Sequence, residues 1–144
     1  MALHPQAGQP AAKEQLINVA ELVSQYYSYK PDIRNEGHAV SFGTSGHRGT
    51  ASNCTFTDTH ISAICQALVE YRQQEGIAGP LYIGKDTHAL SEPAMVTAIE
   101  VLCANGIDVV IQRSDNESLG YTPTPVISRT IIRYNRDNVE QKAD

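Results

Sequence analysis

Residues 81–111, LYIGKDTHALSEPAMVTAIEVLCANGIDVVI, decide the fold. Leu81 to Ile83 is a short apolar run of the kind that makes a buried strand. Ser91 can cap a helix with Pro93 in its first turn, and Ala94, Ala98, Ile99 and Leu102 fall on one face. Gly106 closes that helix, and Ile107 to Ile111 makes a second strand. Strand, helix and strand at this spacing, joined by short glycine-containing loops, predict parallel pairing with helices covering the sheet.

The pattern continues in both directions. Upstream, Thr57 and Asp58 can cap a helix with Ile61, Ile64, Cys65 and Leu68 on its apolar side, ending near Gly76. Before it stands a glycine-rich loop, reached by a short alternation at Val40 and Phe42 that predicts a strand ending at Gly43. Residues 30–38 are polar, and ahead of them Leu16, Val19, Ala20, Val23, Tyr26 and Tyr27 repeat at helical spacing until Pro31. Downstream, Gln112 to Gly120 is a polar loop. Thr124 can then cap a last helix, with Pro125 at its first position and Val126, Ile127, Thr130 and Ile131 facing inward. The division is a leading helix and linker over residues 1–38 and an α/β domain over residues 39–144. Its fold class is a mixed, mostly parallel sheet with helices on both faces. The final stretch NRDNVEQKAD is polar where this architecture would place another strand, so the domain is expected to be incomplete.

Composition narrows the function. A net charge of −5 with scattered Lys and Arg offers no basic patch for a nucleic acid, and 41% hydrophobic residues can fill a core. No apolar run approaches the ~20 residues of a membrane span, and the first residues lack the pattern of a signal peptide. A cytoplasmic location is expected. Cys54, Cys65 and Cys103 show no paired spacing, which argues against a disulfide framework or a thiolate metal site. Cys65 and Cys103 each fall in an apolar helical stripe and are expected to be buried and inert. The five histidines have no metal-ligand spacing.

Three stretches could carry chemistry. Phe42 to Gly49, FGTSGHRG, follows a predicted strand. Its glycines could let backbone N–H groups converge on an anion, Thr44 and Ser45 add hydroxyls, and Arg48 offers a planar fork for two phosphate oxygens. The alternative is a flexible turn with a solvated arginine. Gly84 to Ser91 sits at the C-terminal end of a strand, where open α/β sheets bind ligands. There Lys85 or His88 could meet an anion, while Asp86 and Ser91 could instead only cap a turn and a helix. Tyr121 to Pro125, YTPTP, is either a rigid start to a helix or an N-terminus that attracts phosphate. Neither a Walker loop nor a dinucleotide fingerprint is present.

In order along the chain, FGTSGHRG, GKDTHALSEPA, the ANG helix end with IDVVIQ, and GYTPTP resemble the first domain of the α-D-phosphohexomutase superfamily, its bacterial glucose-specific branch in particular. The resemblance implies an enzyme of four α/β domains that interconverts glucose 1-phosphate and glucose 6-phosphate through a phosphoserine and a bisphosphorylated sugar, glucose 1,6-bisphosphate. It implies that Arg48 assists catalysis by holding phosphoryl oxygens, and that Thr44, Ser45, His47, Arg48 and, more weakly, Lys85 and His88 bind substrate phosphate. The family serine, in a Thr-x-Ser-His-Asn-Pro motif, would lie beyond Asp144. Mg²⁺ would be bound by a domain outside this chain. Expected partners are a sugar phosphate and the remaining domains of the same polypeptide, with neither nucleic acid nor membrane. Many superfamily members carry Arg where His88 stands, so a charge-based role there depends on pH. A standalone anion-binding or interaction module without catalysis is the competing reading.

Overall fold

The computed structural model describes residues 4–113, 115 and 119–144; of the expected polar loop, residues 114 and 116–118 lie outside the described residues. The elements run α1 (Val19–Ser28), β1 (Phe42–Gly43), β2 (Gly46–His47), α2 (Asp58–Gln74), β3 (Leu81–Ile83), α3 (Ser91–Ala104), β4 (Val109–Ile111) and α4 (Thr124–Asp137). The central unit is β3–α3–β4, with β3 and β4 parallel in the register Leu81 to Val109, Tyr82 to Val110 and Ile83 to Ile111. Because side chains alternate across a strand, Leu81 and Ile83 face one way and Tyr82 the other. Leu81 joins Cys65 and Val69 of α2 and Ala98 and Leu102 of α3 in the main core, with Ile83 against it. Tyr82 meets Tyr134 of α4 edge-on at 6.0 Å between ring centres. Helices therefore cover both faces of β3.

Helix ends follow local chemistry. Gly76 (φ 65°) and Gly106 (φ 72°) take the left-handed conformation that ends α2 and α3. Each lets the next amide reach back to a helix carbonyl, Ile77 N to Arg72 O at 2.9 Å and Ile107 N to Leu102 O at 3.0 Å. At the other end of α2, Thr57 precedes the first turn, and its N–H donates to His60 Nδ1 at 3.2 Å.

Among the described residues the strands form two small two-stranded sheets, a β1–β2 antiparallel hairpin and the parallel β3–β4 pair. Several local expectations are corrected. Leu16 stands outside α1 and is exposed, because Asn18 caps the helix through Glu21 N at 3.2 Å. Ser91 is the first residue of α3 rather than its cap, and Thr124 starts α4 after Pro123. Helix α4 buries no residue completely. Val126 and Thr130 are exposed, while Ile127 and Ile131 are half-buried. Cys103 is also exposed, on the outer side of α3, whereas Cys65 is buried and its thiol is pushed up by desolvation.

Two buried polar groups tie the elements together. Tyr26 is 0% exposed and donates from its hydroxyl to Thr97 Oγ1 at 2.9 Å. Thr97 Oγ1 in turn lies 3.0 Å from Asp58 Oδ1 and 3.1 Å from the Pro93 carbonyl, either of which can accept its proton. One chain of polar contacts thus joins α1, α3 and the first turn of α2. Arg72, 1% exposed near the end of α2, donates to the Gly79 carbonyl and pairs with the Asp144 carboxylate. It holds the turn before β3 to residues at 142–144, whose backbone runs close enough over Gly79 to leave no room for a Cβ.

Replacing Arg72 with Met is expected to destabilise the chain by roughly 3 kcal/mol, the lower end for breaking a buried ion pair, since Asp144 retains some access to water. Urea unfolding of the two proteins measures it. Burial pushes the Tyr26 hydroxyl up from 10.0 to about 12, with Thr97 opposing and Asp58 reinforcing. A raised pKa means that the unfolded chain ionises first, so this contribution is intact below pH 10 and is lost as pH rises towards 12. Tyr26→Phe should cost about 1 kcal/mol at neutral pH and flatten the fall in stability above pH 10, read as the difference between two pH series of unfolding midpoints.

Candidate functional site

The FGTSGHRG stretch folds as a hairpin, not as an open cradle. Phe42 pairs with His47 and Gly43 with Gly46, leaving Thr44 and Ser45 as the two-residue turn. Gly46 has φ 115°, a conformation that only glycine adopts readily, so its place in the hairpin is a backbone requirement. Arg48 follows β2 directly, and its Nη2 donates to Ser45 Oγ at 2.7 Å. Both groups are exposed, so that bond is weak and open to exchange for a stronger anionic acceptor.

The loop after β3 is shaped by Asp86. Its Oδ1 accepts from the His88 backbone N–H at 2.9 Å and from the Ser91 hydroxyl. The Ser91 hydrogen bond, followed by that of His88, holds the Asp86 carboxyl below the ordinary carboxylate range. His88 Nδ1 accepts from Leu90 N at 3.1 Å, which in the neutral ring assigns the proton to Nε2. The turn-capping role open to Asp86 is thus used, while Ser91 serves as a donor to Asp86 and not as the helix cap.

These two loops meet in a cleft of about 390 Å³ lined by His47, Arg48, Phe56, Asp86, His88 and Leu90 among others. Of the residues singled out from sequence, Arg48, His47 and His88 come together there. Thr44 and Ser45 stay at the hairpin turn outside the lining, although Ser45 touches Arg48. Lys85 is turned away: its ammonium pairs with Glu92 and lies 5.7 Å from the Tyr121 ring centre. It belongs to an adjoining hollow of about 410 Å³ around the end of β3, with Thr122, Thr124 and Ile127. The YTPTP segment is fixed there by Thr122 N donating to Lys85 O at 2.9 Å, so the α4 N-terminus adjoins the cleft without lining it.

His47 behaves differently from the others. Its Nε2 lies 2.8 Å from the Thr55 carbonyl, which can only accept, and its Nδ1 lies 3.2 Å from Ser41 N and 3.1 Å from Ser41 O. The ring stacks against Phe56 at 6.0 Å and His60 at 5.6 Å. Its nitrogens are committed to the backbone. Phe56 and Leu90 form the apolar wall of the cleft and escaped the sequence reading, since an isolated Phe before a cap and a Leu before a helix carry no distinctive spacing. Among the described residues, no three His, Cys, Asp or Glu side chains converge as metal ligands. The cleft offers one permanent cation, one titratable ring, a hydrogen-bonded carboxylate and an apolar side.

Comparison with known proteins places the chain in a family. Residues 39–139 match the family described as phosphoglucomutase/phosphomannomutase, alpha/beta/alpha domain I. The chain is similar to a phosphoglucomutase of Komagataeibacter xylinus, 48% identical over 143 residues that cover 99% of this chain and 25% of that protein. It is also 29% identical over 96 residues to a phosphoglucosamine mutase of Francisella tularensis subsp. tularensis (strain WY96-3418), covering 67% of this chain and 20% of that protein. The chain thus spans about a quarter or less of the relatives it matches.

Because Asp86 is depressed mainly by Ser91, Ser91→Ala should raise the Asp86 pKa towards 3.8, measured by carboxyl carbon NMR during an acid titration. The sign for stability is that this contribution is present above 3.8 and fades as pH falls below it. An unmoved Asp86 titration in the variant would show that His88 N–H alone sets it.

Proposed function

This chain belongs to the phosphoglucomutase/phosphomannomutase family, and on that premise we propose that it is the amino-terminal part of a phosphoglucomutase. The complete polypeptide interconverts glucose 1-phosphate and glucose 6-phosphate in the cytoplasm. A phosphoserine outside residues 1–144 gives its phosphoryl group to a sugar hydroxyl and recovers one from the bisphosphorylated sugar. Mg²⁺ would be held by residues outside this chain. The 144 residues alone do not turn over substrate.

The observation that carries this reading is the meeting of Arg48 and His88 in one cleft, close to the C-terminal end of β3. Arg48 exchanges the Ser45 hydroxyl for two oxygens of a phosphoryl group, where a guanidinium fork offers two parallel hydrogen bonds. His88 donates from Nε2 to a third oxygen, and Phe56 and Leu90 keep one side of the cleft apolar. Asp86, locked by Ser91 and His88, limits how deeply an anion enters and favours approach from the Arg48 side. Stabilising charge on the transferring group at fixed geometry is where phosphoryl transfer gains most.

The sheet reading extends in the same way. Asp144 N donates to Pro80 O at 3.3 Å, and Tyr82 N donates to Asp144 O at 2.8 Å, the pattern of a parallel neighbour on the edge of β3 opposite β4. This supports a mostly parallel sheet in the complete domain, with β3 inside it.

The test is a coupled assay of glucose 6-phosphate formation from glucose 1-phosphate by the complete polypeptide. Arg48→Ala should lower kcat/KM about a hundredfold while the protein stays folded. A complete wild-type polypeptide that binds glucose 1-phosphate but never isomerises it would leave the binding-module reading standing.

A further inference from the structure

Arg48 sits between two residues that are both fastened to Thr55. On its N-terminal side, His47 Nε2 lies 2.8 Å from the Thr55 carbonyl. On its C-terminal side, Thr50 N donates to Thr55 Oγ1 at 2.9 Å, Thr55 N donates to Thr50 O at 3.1 Å, and the Thr55 hydroxyl donates to Thr50 O at 3.2 Å. Gly49 brings the backbone so close that a Cβ would collide with the Thr55 carbonyl and would stand 2.7 Å from its Oγ1. The segment 47–50 is therefore pinned at both ends against one residue, and Arg48 is the side chain left pointing away.

The pin reaches into the core through aromatic rings. The His47 ring lies nearly parallel to Phe56 (5°) and to His60 (14°). His60 is buried at 3% exposure, with Nδ1 accepting from Thr57 N and Nε2 2.7 Å from the His38 carbonyl. Its partners assign the Nε2 proton, as those of His47 do. Helix α2 thus fixes His60, His47 stacks with both His60 and Phe56, and His47 holds Thr55.

We propose that His47, Thr55 and Gly49 form a clamp that positions Arg48, with His47 acting as a positioning residue through its Nε2–H bond to Thr55 and not as a phosphate ligand. The proposal rests on the anion-binding reading of Arg48 and assigns the histidine of the loop a separate task. A guanidinium on an exposed loop loses side-chain and backbone freedom when it grips an anion with two bonds, and a backbone fixed beforehand reduces that loss. The bland alternative is that His47 only fills space beside Phe56.

Two substitutions separate these roles. His47→Phe keeps an aromatic ring to stack with His60 and Phe56 but removes the Nε2–H donor. His47→Gln loses the ring and keeps an amide able to reach the Thr55 carbonyl. Titrating inorganic phosphate against the wild type and both variants reads the effect on Arg48. The clamp predicts that His47→Phe weakens phosphate about tenfold, the equivalent of one positioned hydrogen bond, while His47→Gln stays within about twofold. The reverse order, or equal affinity in all three, overturns it. Hydrogen exchange at the Thr50 and Thr55 amides gives an independent readout. Exchange should quicken in His47→Phe and return to the wild-type rate in His47→Gln, with amides in α3 unchanged. Should the wild type itself fail to bind phosphate, the anion reading of Arg48 falls, and the exchange rates still decide whether the clamp exists.

Discussion

The structure depends on α2 being held against α3 over the inner face of β3. Val69 and Cys65 from one helix and Leu102 and Ala98 from the other close on Leu81. A three-residue parallel pair cannot stand on its own in water, so the helix contact fixes the strands rather than the reverse. Thr97 secures the same contact at its polar end, taking the Tyr26 hydroxyl on one side and facing Asp58 on the other. Buried hydroxyls are costly unless bonded, which makes this join specific as well as stabilising. Ile61 packs against both this core and the smaller one around Tyr26, Ala51 and Leu90, so the leading helix and the domain share one interior.

Position of the cleft follows from that join. Helix α2 carries His60 at its start, the preceding residues carry Phe56 and Thr55, and the hairpin leans on all three. Helix α3 begins at Ser91, where Asp86 and His88 wind the loop from β3. The two loops face each other because their helices are packed side by side. In a chain of net charge −5, the cleft sets the Arg48 guanidinium opposite a loop shaped by Asp86.

The elements with strong local signals were legible. The β3–α3–β4 unit was readable from two apolar runs around an amphipathic helix, and α2 from its cap and Gly76. Arg48 was legible as a candidate anion group because of its company in the loop, and it lines the cleft. Less readable was α4, whose Val126 and Thr130 face outward: with one short strand pair beneath it, only Ile127 and neighbouring residues find anything to cover. His47, a candidate phosphate group by resemblance, lines the cleft as a packed ring with backbone partners that were not legible, since sequence gives a histidine's neighbours along the chain and not the carbonyl across from it. Lys85 was likewise captured by Glu92, seven positions on, through the winding of the α3 start. Arg72 gave no signal at all, because a basic residue near a helix end is ordinarily solvated.

By itself the sequence determined the helices and the β3–α3–β4 order, the glycines that end α2 and α3 and the family to which the chain belongs, all of which rest on short-range backbone preference and pattern. Tertiary structure alone decided which candidates share a cleft. That depended on two helices meeting through Thr97 and on rings from separate segments stacking, and such pairings are set by packing across distances that local preference does not encode.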